Sequence, residues 1–125
     1  MKKVISTKKA PGTIGPYSQA VEVSGTLYIS GQVPIDPETG KLSGDTITEQ
    51  TEQVLRNIRF VVNAAGYSMK EIVKTTCMLQ DMNDFAEMNK AYEKFFPDDP
   101  PARAAYEVAK LPLNVKIEIE AIAAR

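Results

Sequence analysis

Residues 100–122 read PPARAAYEVAKLPLNVKIEIEAI, and their patterning carries the fold class. Two strands are legible in this stretch. In Arg103 to Val108, Tyr106 and Val108 alternate with Arg103, Ala105 and Glu107. In Val115 to Ile122, Val115, Ile117, Ile119 and Ala121 alternate with Lys116, Glu118 and Glu120. Period-two alternation marks a strand with one buried face. Between them, Lys110 to Asn114 breaks the run, because Pro112 has no N–H to give to a ladder. The simplest pairing is an antiparallel hairpin centred on Leu111-Pro112, with Arg103 opposite Glu120 and Glu107 opposite Lys116. Opposite charges directly across a strand pair are favourable, and a one-residue slip would set polar rows against apolar ones. One face would then present an Arg and a Glu to a common ligand, with small Ala105 between them. A guanidinium is a planar fork that matches a carboxylate. A carboxylate beside it can orient and deprotonate water. Exposed ion pairs that hold no ligand are also common and contribute about 0–1 kcal/mol, so the hairpin alone leaves both readings open.

Upstream, Ile72 to Gln80 is a strand rich in β-branched residues, and Asn83 fits the N-cap of a helix that buries Phe85, Met88, Tyr92, Phe95 and Phe96. Pro97 stops that helix. A longer helix precedes it. Thr46 and Glu49 have capping-box spacing. Ile47, Val54, Leu55, Ile58, Val61, Val62 and Ala65 form an apolar stripe of helical period. Gly66 fits the position just past the helix end. The opposite face, with Gln50, Glu52, Gln53, Arg56 and Arg59, is expected in solvent. Near the N-terminus, Ala20–Val23 and Thr26–Ile29 flank Ser24-Gly25, a two-residue hairpin signal. Gly31, in Ser30-Gly31-Gln32, marks either a bulge or a close approach of backbone to a ligand. Lys2 to Ser6 fits a short edge strand.

The predicted architecture is α+β, a mixed β-sheet of about six strands with two helices packed on one face. The uncovered face, expected to carry Arg103, Glu107, Lys116, Glu118 and Glu120, suggests association into a closed oligomer.

The 125 residues suffice for one domain with a core. Fifteen basic and sixteen acidic residues leave no broad basic surface for nucleic acid. Histidine is absent, which excludes His-based acid/base catalysis and His metal ligands. The single cysteine, Cys77, cannot form an internal disulfide or a thiolate zinc site, and it reads as a small core residue. Chemistry must come from Arg, Lys, Asp, Glu, Tyr, Ser, Thr, amides and backbone. No secretory signal and no membrane-spanning segment is legible, so a cytoplasmic protein is expected.

Several short motifs carry a further resemblance. They are Ile14-Gly15-Pro16-Tyr17-Ser18-Gln19-Ala20, Ser30-Gly31-Gln32-Val33-Pro34, Ala65-Gly66, Ile72-Val73-Lys74-Thr75-Thr76, and the run from Asn89 to Phe96. Pro101-Ala102-Arg103 through Leu111-Pro112 and Val115 to Ala121 complete the set. In number, order and spacing they resemble the RidA/YjgF family of small imine deaminases along essentially the whole chain. The resemblance implies a single RidA-like domain over residues 1–125. Its fold would be like chorismate mutase of the bacillus type, assembled as a homotrimer with sites between subunits. It implies cofactor-independent and metal-independent hydrolysis of reactive 2-imino acids and enamines, such as 2-aminoacrylate, to 2-keto acids and ammonia. It assigns Arg103 to the substrate carboxylate and Glu120 to the attacking water. Tyr17, Ser30, Gly31 and Asn89 would line the pocket, and the backbone at Ala105 would touch the substrate. Many members have Cys where this chain has Ala105, which rules out a thiol role here. Two other readings stay in view: a non-catalytic module that binds small carboxylates and regulates another enzyme, and an endoribonuclease or translation inhibitor. Balanced charge and the missing histidines speak against the last.

Overall fold

A computed structural model describes all 125 residues. Eight strands and two main helices follow in the order β1 (Lys3–Ile5), β2 (Ala20–Val23), β3 (Thr26–Gln32), β4 (Ile35–Asp36), β5 (Lys41–Leu42), α1 (Ile47–Ala64), β6 (Ile72–Leu79), α2 (Phe85–Glu93), β7 (Ala102–Glu107) and β8 (Ile117–Ala124). Six strands form one mixed sheet in the order β1-β2-β3-β8-β6-β7, and β4 pairs with β5 in a separate small ribbon. Both helices lie on one face, as the α+β expectation required.

The local signals fold as their chemistry dictates. Ser24 and Gly25 both take positive φ, 50° and 81°, which gives a two-residue turn the twist of its flanking strands. Thr46 accepts from the Glu49 N–H while the Glu49 side chain accepts from Thr46, closing the capping box of α1. At the other end Gly66 (φ 81°) donates to the Asn63 carbonyl and Tyr67 donates to that of Val62, which satisfies carbonyls the helix leaves open. The start of α2 differs from expectation. Asp81, not Asn83, is the capping residue; it accepts from the Asn83 N–H and starts a short 3-10 turn that leads into α2.

The C-terminal hairpin does not form. Strand β7 pairs in parallel with β6, and β8 pairs antiparallel with β6 and with β3, so β6 separates the two strands. Arg103 lies opposite Thr75, and Glu120 opposite Thr76. The connection after β7 is no tight turn. It contains a short 3-10 turn at Pro112–Asn114, with Leu113 and Asn114 left-handed (φ 58° and 56°), and it is long enough to carry the chain across the edge of β6. Helix α2 makes the crossover that joins parallel β6 and β7.

The core lies between the sheet and the helices. Leu27, Leu55, Ile58, Leu79, Met88, Ile117 and Ile119 are fully buried in it. Gln50 and Gln53, expected in solvent, are buried as well. Gln50 donates to the Gly44 carbonyl and accepts from the Lys116 N–H. Gln53 donates to Asn57 and accepts from the Ser43 hydroxyl. Asn57 donates at 3.0 Å to the carbonyls of both Val33 and Ile35. These amides satisfy the backbone of the 33–44 arm, which folds back over α1 and covers the face that their polarity had assigned to water.

Candidate functional site

Because directly opposed residues in a sheet share a face, the pairing divides the expected site residues into two groups. Arg103 and Ala105 lie opposite buried Thr75 and Cys77, and so belong to the helix-covered side of edge strand β7. Glu118 and Glu120 alternate with buried Ile117, Ile119 and Ala121, and so stand on the open face. Arg103, Glu107, Glu118 and Glu120 therefore do not share a face, contrary to the sequence expectation. Glu107 instead accepts from the Met82 N–H at 3.0 Å, at the entry to α2.

On the helix side, Arg103 donates to Asn89 Oδ1 at 2.7 Å. Its guanidinium carbon lies 4.9 Å from the centre of the Tyr92 ring and 5.3 Å from that of Phe85, within cation–π range. The chain's two ion pairs, Lys90–Glu87 and Lys94–Glu52, leave Arg103 without a carboxylate. Ala105 packs half-buried against the core beside this group.

On the other side, Tyr17 lies in the loop that leads into β2 and is half exposed. Buried Gln19 anchors that loop by accepting from the Thr7 N–H and donating to the Thr7 and Pro11 carbonyls. Ser30 fastens the loop to β3, its hydroxyl donating to the Ser18 carbonyl at 2.6 Å and its N–H to that of Gln19. Tyr17, Ser18, Tyr28 and Ser30 line a recess of about 410 Å³. The β3–β8 register shifts between Ile29 and Gln32, so Ser30-Gly31 forms a bulge. The Glu118 carboxylate lies directly against Gly31, in space that a Cβ would occupy. Gly31 thus lies in a bulge and leaves room for the chain's own Glu118 side chain.

The sequence reading gave the water-activating role to Glu120, yet Glu118 is the carboxylate seated at the bulge. Burial, with the negative charge of Glu120 adding to it, raises the pKa of Glu118 above the ordinary carboxylate value. Glu120 is exposed. The close Gly31 approach was the available signal for Glu118, but only the pairing of β3 with β8 reveals which glutamate fills it. The chain has no cluster of His, Cys, Asp and Glu able to hold a metal ion, and no helix long and apolar enough to cross a membrane.

Residues 7–125 match the family described as Endoribonuclease L-PSP. A 2-iminobutanoate/2-iminopropanoate deaminase from Mus musculus is 52% identical over 123 residues, covering 98% of this chain and 91% of the mouse protein. The chain belongs to the RidA/YjgF family. A RutC family protein of Pyrococcus horikoshii is 54% identical, covering 98% of both chains. The crystal structure of RidA from an Antarctic Psychrobacter superposes with a TM-score of 0.95 at 44% identity, covering 98% of this chain and 99% of that one. E. coli TdcF with bound serine superposes with a TM-score of 0.94 at 44% identity, covering 98% of each.

Proposed function

We propose that this chain hydrolyses reactive 2-imino acids and their enamine tautomers, such as 2-aminoacrylate, to 2-keto acids and ammonia. It acts without a cofactor, as one RidA-like domain of residues 1–125 assembled into a cytoplasmic homotrimer. The observation that carries this reading is Arg103, a cation held by two aromatic rings and an amide but lacking any carboxylate of its own. A 2-imino acid supplies that carboxylate in the bidentate geometry a guanidinium favours. The name of the mouse relative and the serine bound to TdcF point to the same substrate class.

The trimer brings edge strand β7 and α2 of one copy to the open face of the next, so that each site joins Arg103, Asn89 and Ala105 to Tyr17, Ser30, Gly31 and the Glu118–Glu120 pair. Exposed Val4, Tyr28 and Tyr106 give that face an apolar surface suited to burial between copies. An enamine first takes a proton at its β-carbon and becomes the imine. Water, deprotonated by Glu118, then adds to the imine carbon. Glu118 then gives that proton to the carbinolamine nitrogen and takes the hydroxyl proton as the C–N bond breaks, so that ammonia leaves and the keto acid remains. Holding both reactants in register lowers the entropic barrier, and a placed base contributes typically about 10²–10⁴-fold.

The test is keto acid and ammonia release from freshly generated 2-aminoacrylate. The protein should accelerate release, and Arg103→Ala should abolish the acceleration with loss of carboxylate binding. No acceleration by the assembled protein would overturn turnover and leave a carboxylate-binding module.

A further inference from the structure

Phe85, Asn89 and Tyr92 fall at i, i+4 and i+7 of α2, and all three touch Arg103. One helix stripe therefore takes both ring contacts and the one hydrogen bond that the Arg103 side chain makes in this chain. Tyr92 has a second anchor. Its hydroxyl lies 2.7 Å from Thr75 Oγ1, buried, and Thr75 is the residue directly opposite Arg103 on β6. The ring is braced from behind by Phe96, with centroids 4.8 Å apart. Thr75, Tyr92 and Arg103 thus form a closed triangle that links β6, α2 and β7.

We propose that Tyr92, fixed by Thr75, is a positioning residue that holds the Arg103 guanidinium in one orientation for an incoming carboxylate. The inference rests on the reading of Arg103 as the carboxylate anchor. An arginine free in solvent loses side-chain entropy when it binds. Here α2 has already removed that freedom: the rings hold the guanidinium in place, Asn89 takes one of its donors, and the others stay available. A phenylalanine would keep the ring contact and lose the tie to Thr75. A leucine would lose both.

The experiment combines NMR with kinetics. The Arg103 guanidinium signals are assigned by their loss in Arg103→Lys, and rotation about Nε–Cζ is measured in the parent, Tyr92→Phe, Tyr92→Leu and Thr75→Val. Hindered rotation is expected in the parent, partial release in Tyr92→Phe and Thr75→Val, and free rotation in Tyr92→Leu. Loss of the platform should raise KM for 2-aminoacrylate and weaken 2-oxobutanoate binding by about tenfold in Tyr92→Leu, with kcat changed less than KM. Tyr92→Phe should restore most of the affinity. Unchanged rotation and KM in Tyr92→Leu, or in Thr75→Val and Tyr92→Phe should the leucine variant not fold, overturn the positioning role. Parent-like 2-oxobutanoate affinity in Arg103→Ala overturns the anchor reading itself, so the two failures are told apart.

Discussion

Arg103 and Glu118 lie on opposite faces of one sheet, in strands held apart by β6. Arg103 turns toward α2 and meets Asn89, Tyr92 and Phe85. Glu118, opposite Met78, turns to the face no helix covers and rests on Gly31. A small ligand cannot reach both through the sheet of one chain. A site that uses both must draw them from two copies.

Co-expression tests that division. Arg103→Ala and Glu118→Gln should each be inactive as pure assemblies. In mixed assemblies of the proposed trimer about a quarter of the sites would pair an intact Arg103 with an intact Glu118, and activity should return to about that fraction. Mixtures as inactive as their parents would place both residues in one chain's site.

The pH dependence separates the two glutamates. Glu118 has to be ionised to accept a proton from water. Its pKa is raised, first by burial and then by Glu120, so as pH drops turnover should be lost sooner than it would be with an unperturbed glutamate. Removing a neighbouring negative charge lowers a carboxyl pKa. Glu120→Gln should therefore move the acid limb to lower pH and keep turnover, whereas Glu118→Gln should abolish it. The opposite pattern in a pH–rate profile would return the base role to Glu120.

Gly31→Ala tests the contact at the bulge. The added methyl would occupy the space of the Glu118 carboxylate and would displace it. Steady-state kinetics should show a fall of at least about 10²-fold in kcat, the scale of a lost general base, with the chain still folded by circular dichroism.

Asn57→Leu should cost stability rather than chemistry. The fully buried amide donates to Val33 and Ile35 and accepts from Gln53. Its loss leaves the Ile35 carbonyl and the Gln53 amide without that partner, while Val33 keeps its bond from the Ile35 N–H, at a cost of about 1–3 kcal/mol per unsatisfied group. Urea denaturation at fixed protein concentration should report that drop. A change below about 0.5 kcal/mol would mean that water or a shifted arm satisfies them.

Cys77 should be chemically silent in the folded protein. It is fully buried, and burial pushes its thiol up to about 11, against smaller opposing effects of Arg103 and Thr75. Thiolate is the reactive form. Iodoacetamide at pH 8 should label the native protein negligibly and the unfolded chain once. Rapid native labelling would show that β6 opens.

The sequence by itself determined the pieces. The α1 stripe with its capping box, the Ser24-Gly25 turn, the β6 run and the alternation of β7 and β8 were all legible, because each depends on residues within a few positions of one another. Tyr17, Ser30, Gly31, Asn89 and Arg103 were also named there, through family motifs. Alternation records that one face of a strand is buried, and it is silent on which strand lies alongside. Strand β6 is distant in sequence from β8, yet it separates β8 from β7. Hence the hairpin expected from matched charges gave way to pairing that buries Ile117, Ile119 and Ala121 between β3 and β6. That neighbour, not the charge pattern, decided that Arg103 and the glutamates face apart. Gln50 and Gln53 read as solvated for the same reason. A polar side chain looks exposed until a distant segment, here the 33–44 arm and Lys116, supplies its hydrogen bonds. Which glutamate lies against Gly31 likewise waited on the tertiary structure. Two glutamates two residues apart on one strand are equivalent in sequence, and the Gly31 bulge of β3 meets only the first.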